Sequence, residues 1–144
     1  MKIFIAGVMQ GNRKNTKIHS QNYRKEIIRI LTKLETTLEV IDPHITDPDR
    51  LIYNDEQAAE IFFRNNFMIR DMDLVIAYVS EASMGTAIEM WEAWKNKIPI
   101  ITISPLKYHW TVKLLSSKIY STIAEFAKGA REGELKIFLR NDPL

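Results

Sequence analysis

The chain has 144 residues, 46% of them hydrophobic and 26% charged, enough to bury a core without staples and too apolar for a disordered tail. Twenty Lys and Arg against 18 Asp and Glu leave a formal net charge of +2, scattered without a dense basic patch, which argues against a nucleic-acid binder. With no cysteine and only three histidines, no two of them at ligand spacing, neither disulfides nor a structural metal are expected, and a cytoplasmic setting fits.

The opening MKIFIAG is too short in its apolar run for a signal peptide or a membrane span. Its residues Lys2 to Gly7 read as a buried first strand, and a polar loop with Gly11, Asn12 and Arg13 follows. From His19 to about Leu34, Ile27, Ile28, Ile30, Leu31 and Leu34 recur at helical spacing. LEVIDP, Leu38 to Pro43, is a second short strand closed by its proline. HITDPDRLIYND then reads as loop, and Asp55 as the cap of a helix to about Ile69 that buries Ile61, Phe62, Phe63, Phe67 and Met68. DLVIAYV, Asp73 to Val79, is apolar almost throughout, as a central parallel strand should be. A helix from Met84 to Asn96 and a fourth strand from Ile98 to Ser104 come next. Beyond Pro105 the pattern weakens to a short helix before Leu115, a fifth strand over Ile119 to Thr122, a helix from Ile123 to Arg131, and a last segment ending near Leu139.

Strands alternating with helices predict an α/β fold: a doubly wound, flavodoxin-like or Rossmann-like parallel sheet of about five strands with helices on both faces. No repeat or linker interrupts it, so residues 1–144 read as one domain. Ligands of such sheets bind beyond the carboxyl ends of the strands. That rim gathers Gly7 to Arg13, Asp42 to Asp49, Ser80 to Gly85 and Ser104 to His109.

Two of these loops carry candidate chemistry. Gly7 and Gly11 let the backbone approach a ligand, and Arg13 offers a donor fork to a phosphate or carboxylate, although the same glycines also suit a plain surface turn. The spacing matches neither a dinucleotide fingerprint nor a phosphate loop of nucleoside triphosphatases. In VIAYVSEASMGTAIEMWEAW, Ser80, Ser83, Gly85 and Thr86 separate the strand from its helix, with Ser83 as N-cap. Glu89 follows inside the helix. The helix dipole favours a carboxylate near its amino end, so Glu89 reads either as a structural acid or as a group facing a ligand. Glu92 and Lys95 suit an exposed pair.

MKIFIAG, DLVIAYV and above all SMGTAIEMWEAWKNKIPIITIS resemble the nucleoside 2-deoxyribosyltransferase family, over roughly Lys2 to Phe126. The shared signature is an acid or serine, one residue, glycine, three residues, then glutamate, here Ser83, Gly85 and Glu89. The resemblance implies cleavage or transfer at the N-glycosidic bond of a nucleoside or nucleoside 5′-monophosphate, with Glu89 as nucleophile and a glycosyl ester as intermediate. Serine at position 83 is similar to the branch that cleaves nucleoside 5′-monophosphates, since a serine can donate to a phosphate that an aspartate would repel. Gln10 and Arg13 are then further phosphate donors, and His44 matches a histidine near base or sugar, or else is a surface residue. Two positions depart from that branch. Phe4 stands where it has a tyrosine, and Asn65 and Asn66 stand where it has an aspartate. An amide cannot act as general acid; Asp71 lies away from the rim, and Glu56 or Glu60 lies nearer it.

The implied partners are a small nucleoside or nucleotide and a second copy of the chain, with no nucleic acid, membrane, metal or cofactor. Trp91 and Trp94 suit a core or a subunit interface. Trp110, Thr111, Ser116 and Ser117 fall where a neighbour completes the site in the family. The alternative reading is a non-catalytic nucleotide-binding or sensing module of the same fold, supported by Phe4 and the two asparagines. A phosphoribohydrolase of the lysine-decarboxylase-like group is disfavoured, because EASMGT replaces its glycine-rich approach.

Overall fold

A computed structural model describes residues 1–34, 37–48 and 52–139. Five parallel strands form one sheet in the order β2-β1-β3-β4-β5: β1 Lys2–Gly7, β2 Glu39–Ile41, β3 Leu74–Tyr78, β4 Ile100–Ile103 and β5 Lys118–Tyr120. The strand order reverses between β1 and β3, where the doubly wound fold opens its crevice. α1 (Asn22–Leu34) and α6 (Ile123–Arg131) cover one face, with Ile27, Leu31 and Phe126 fully buried against Ile3, Ile5 and Ile76. α3 (Asp55–Met68), α4 (Met84–Lys95) and α5 (Trp110–Leu115) cover the other, where Met90, Ala93 and Val112 meet Phe4, Val75 and Ile100. Both faces of the central strands are covered, which is why they read as continuous apolar runs. No helix of the described residues is long and apolar enough to cross a membrane.

Several elements depart from the expected bounds. α1 begins at Asn22, leaving His19 in the preceding loop. β2 and β5 are three residues each, shorter than expected. In the stretch read as loop, Pro43–Thr46 forms a short helix, α2, capped by the Asp42 side chain; the loop reading at Asp49 to Leu51 lies outside the described residues. The cap of α3 is Asn54, not Asp55: Asn54 accepts from the Gln57 amide at 2.9 Å while the Gln57 side chain accepts from the Asn54 amide at 3.2 Å. This reciprocal capping box satisfies two amino-end donors at once. A 3-10 turn, Ile69–Asp71, joins α3 to β3, and α7 (Lys136–Leu139) ends the described chain.

The largest departure concerns α3. Phe62, Phe63 and Phe67, expected in the core, are 43%, 55% and 55% exposed, and the buried residue of the helix is the polar Asn65. The rings pack on one another and on Arg70 instead of on the sheet. On α4, Trp91 and Trp94 stack with centroids 5.1 Å apart, each half exposed, so they form a surface pair and not part of the core.

Candidate active site

The site grows from the carboxyl ends of β1 and β3. β2 pairs β1 only as far as Phe4, whereas β3 pairs it through Gly7, so the later β1 carbonyls on the β2 side have no strand beside them. Arg24, on the buried stripe of α1 with Ile27 and Leu31, takes that role. Its Nη1 donates to Ile5 O at 2.9 Å and to Asp42 Oδ1 at 2.8 Å, its Nη2 to Gly7 O at 3.1 Å, and its Nε to Gln21 Oε1 at 2.7 Å. Arg24 and Asp42 are 1% and 4% exposed, and Asp42 Oδ1 also accepts the His44 amide at 2.9 Å. The planar fork makes the guanidinium fit where an ammonium would not.

Tyr23 lies beside it. Its hydroxyl donates to Val8 O at 3.0 Å and its ring stacks on Tyr78 at 4.1 Å. A Cβ at residue 7 would collide with that phenol, so the glycine closing β1 leaves room for a tyrosine. Burial pushes the Tyr23 phenol well up; Arg24 opposes this, while the negative charges of Asp42 and Glu89 add to it. The phenol therefore stays protonated at neutral pH, with Glu89 near enough for its charge to be felt.

The loop after β1 is clasped to the loop after β3 by Glu81. Its Oε1 accepts from the Asn12 amide at 3.1 Å and pairs with His19 Nε2 at 2.8 Å. The Asn12 bond, then the neighbouring His19 and Arg13, hold the carboxyl below its ordinary value of 4.5 against the opposing effect of desolvation. Gly11 turns beneath this clasp at φ 58, where a side chain would be strained and would meet Glu81.

Ser83 caps α4: its Oγ accepts from the Thr86 amide at 3.4 Å and lies 3.0 Å from Thr86 Oγ1. A Cβ on Gly85 would meet nothing within 4 Å, so the glycine faces open space at a helix amino end, where donors point at a ligand.

These parts surround a cavity of about 660 Å³ at the strand-order reversal. Of the residues singled out in the sequence, Gly7, Gln10, Gly11, Asn65, Ser83, Gly85 and Glu89 line it together; Arg13, His44 and Ser80 do not. Arg13 donates to Ile18 O at 3.2 Å within its own loop. His44 borders a separate cleft with Arg24, Asp42 and His19, and Ser80 is exposed. Glu56 and Glu60 stand outside the lining, whereas Asp55 is part of it. A second, apolar cavity of about 340 Å³ shares Gly11, Ser83 and Met84 and includes His109 and Thr111. Ser116 and Ser117 are engaged inside the fold, Ser116 with Thr102 at 2.6 Å and Ser117 accepting the Ile100 amide at 3.2 Å.

Sequence reasoning missed Tyr23, Arg24, Glu81, Phe62 and Asp55 as parts of the rim or its lining, while Asn66, named there beside Asn65, does line the cavity. For the first two a signal exists: Tyr23 is four residues ahead of Ile27 on the buried stripe of α1. Glu81 and Asp55 carry no comparable pattern. Among the described residues no group of three His, Cys, Asp or Glu could hold a metal ion.

Fold and cavity together define a doubly wound α/β protein with a carboxylate set in the crevice at its switch point. No family model matches the chain. A protein of Syntrophotalea carbinolica named as 2′-deoxynucleoside 5′-phosphate N-hydrolase 1 is 32% identical over 106 residues, 72% of this chain and 68% of its own length. Among solved structures, a 2-deoxyribosyltransferase from Bacillus psychrosaccharolyticus superposes with a TM-score of 0.67 at 15% identity, over 88% of this chain and 90% of that one. A conserved protein from Enterococcus faecalis V583 gives 0.66 at 15% identity, over 92% and 98%. The chain belongs to the nucleoside 2-deoxyribosyltransferase family, on the side of its 2′-deoxynucleoside 5′-phosphate N-hydrolases.

Proposed function

We propose that this protein hydrolyses the N-glycosidic bond of a nucleoside 5′-monophosphate through a covalent intermediate on Glu89. Membership of the family makes it an enzyme of N-glycosidic cleavage or transfer. The monophosphate, the choice of water over a second base, and the residue roles are the further steps.

The observation that carries the reading is the sharing of one cavity by Glu89, the amino end of α4 and the Gly7–Gly11 loop. A phosphate seats against the helix amino end, with Ser83 and the open side of Gly85 beside it. Glu89, six residues further down the helix, lies about 9 Å along the axis from Ser83, a separation that leaves room for a sugar between phosphate and carboxylate. A Glu89 oxygen attacks C1′, and the bond to the base nitrogen breaks with its electron pair going to that nitrogen. Water then attacks C1′ of the ester, the carboxylate returns, and the sugar phosphate leaves.

The cysteine-free composition supports a cytoplasmic enzyme, and the single sheet supports one domain. The exposed Phe63, Phe67 and Trp91 support pairing of two copies across α3 and α4, since apolar surface of this kind marks contact sites. The amides on α3 favour one second reading, a sensor that binds a nucleotide and leaves it intact.

The test is incubation with nucleosides and their 5′-monophosphates, following free base by chromatography. Glu89→Gln is expected to lower kcat by about 10⁴-fold with an unchanged circular dichroism spectrum. Base release that persists in this variant ends the nucleophile assignment, and tight binding without release after hours favours the sensor.

A further inference from the structure

The α3 wall of the cavity presents two adjacent amides, Asn65 and Asn66. Among the described residues, the ionisable side chains in the lining are Glu89 and Asp55, and no Lys, Arg or His joins them. A carboxylate attacking C1′ cannot also protonate the leaving nitrogen in that step. Asp55 is exposed at the start of α3, and ten residues of helix set it about 15 Å along the axis from Asn65. Deeper down stand Asn65, 7% exposed, and Asn66. The Asn66 Nδ2 donates to Phe62 O at 2.8 Å, while its Oδ1 is buried with no hydrogen-bond partner. A buried carbonyl oxygen left bare is costly, and a ligand N–H reaching it removes the cost.

A neutral base leaving without a proton departs as an anion, whereas a cationic heterocycle departs neutral. Glu89 with no basic side chain in the lining, and Phe62 among the lining residues, also suit a positive ring. The geometry points to a nucleoside 5′-monophosphate whose heterocycle is already cationic and carries a carboxamide, such as a pyridinium carboxamide mononucleotide. With the Asn66 side chain turned toward the cavity, the carboxamide N–H donates to its Oδ1 and the carboxamide carbonyl accepts from Asn65, an amide-to-amide pairing that also selects the ring. Glu89 attacks C1′, the electron pair of the breaking bond discharges the ring nitrogen, and the heterocycle leaves with no proton transferred. Water attacks C1′, freeing the carboxylate and the sugar phosphate and releasing one proton to solvent.

This choice of substrate rests on the Glu89 reading above, and the experiment separates the two. Release of heterocycle is measured from nicotinamide mononucleotide, from 7-methylguanosine 5′-monophosphate and guanosine 5′-monophosphate as a matched pair, and from the common 2′-deoxynucleoside 5′-monophosphates. Wild type, Asn65→Asp, Asn66→Ala and Glu89→Gln are compared. Wild type is expected to favour each cationic ring over neutral ones by at least about a hundredfold in kcat/KM, the size of effect general acids supply. Asn65→Asp should narrow that gap by accelerating the neutral bases, and Asn66→Ala should raise KM for the carboxamide substrate and not for the 7-methylguanosine compound. Neutral bases released as fast, in a manner dependent on Glu89, overturn the substrate class and leave the nucleophile standing. No Glu89-dependent release from any of them overturns both.

Discussion

Polar groups are buried against both faces of this sheet, and the two faces use them differently. On the α1 side, Arg24 and Asp42 are enclosed, and the guanidinium donates to four separate oxygens while completing the edge of β1. On the α3 side, Asn65 is enclosed at the cavity wall, and its neighbour Asn66 keeps a carbonyl oxygen without a partner. Saturated buried polarity builds a frame; unsaturated buried polarity is where the proposed ligand would be held.

Three experiments sharpen or break this contrast. The largest effect belongs to the frame. Arg24→Met leaves Asp42 enclosed without its cation and two β1 carbonyls bare, and should cost about 3–5 kcal/mol, seen as a lower denaturant midpoint with the slope unchanged. A midpoint within experimental error of wild type would make the guanidinium dispensable to the sheet.

Gly85→Ala divides the two faces in the opposite sense. The added methyl meets no protein atom and suits the first turn of a helix better than glycine, so thermal stability should rise by about 0.5–1 kcal/mol. It also intrudes where the phosphate is proposed to sit, and KM for the preferred nucleotide should rise by about tenfold. Equal KM values would move the ligand away from this helix end.

The smallest effect concerns the clasp between the two loops. Glu81 has its folded value held below 4.5, so its contribution is complete above that pH and disappears as the pH falls through the lowered value. The protection factor of the Asn12 amide, its exchange rate corrected for the intrinsic effect of pH and followed by nuclear magnetic resonance, should fall over that acid range in wild type. Glu81→Gln should remove the dependence.

Much of this arrangement was legible in the chain. Apart from Lys2, the residues of Lys2–Gly7, Leu74–Tyr78 and Ile100–Ile103 are enclosed on two faces and therefore write themselves as nearly continuous apolar runs, Thr102 being the one polar residue within them. The helix bearing Glu89 announces its start through Ser83 and Gly85. The parts that stayed hidden depend on tertiary arrangement. Arg24 reads as one more cation on a charged helix until the shortness of β2 exposes what it must satisfy. The phenylalanines of α3 read as core because hydrophobicity says nothing about which side of a helix the sheet will meet, and here the sheet and cavity meet Asn65. Asn54 displaced Asp55 as cap because Gln57 reciprocates its hydrogen bond.

All three tryptophans of the chain, Trp91, Trp94 and Trp110, stand on α4 and at the start of α5, 49%, 50% and 79% exposed. Their emission therefore registers what lies over that surface more than the integrity of the interior. Indoles stacked as closely as the first two couple their electronic transitions, which gives the near-ultraviolet dichroism of this protein a signal tied to a single exposed pair. A melt followed by that light reports the loosening of one helix flank, and the tyrosines beside the sheet, Tyr23 and Tyr120, are the better witnesses to the collapse of the frame.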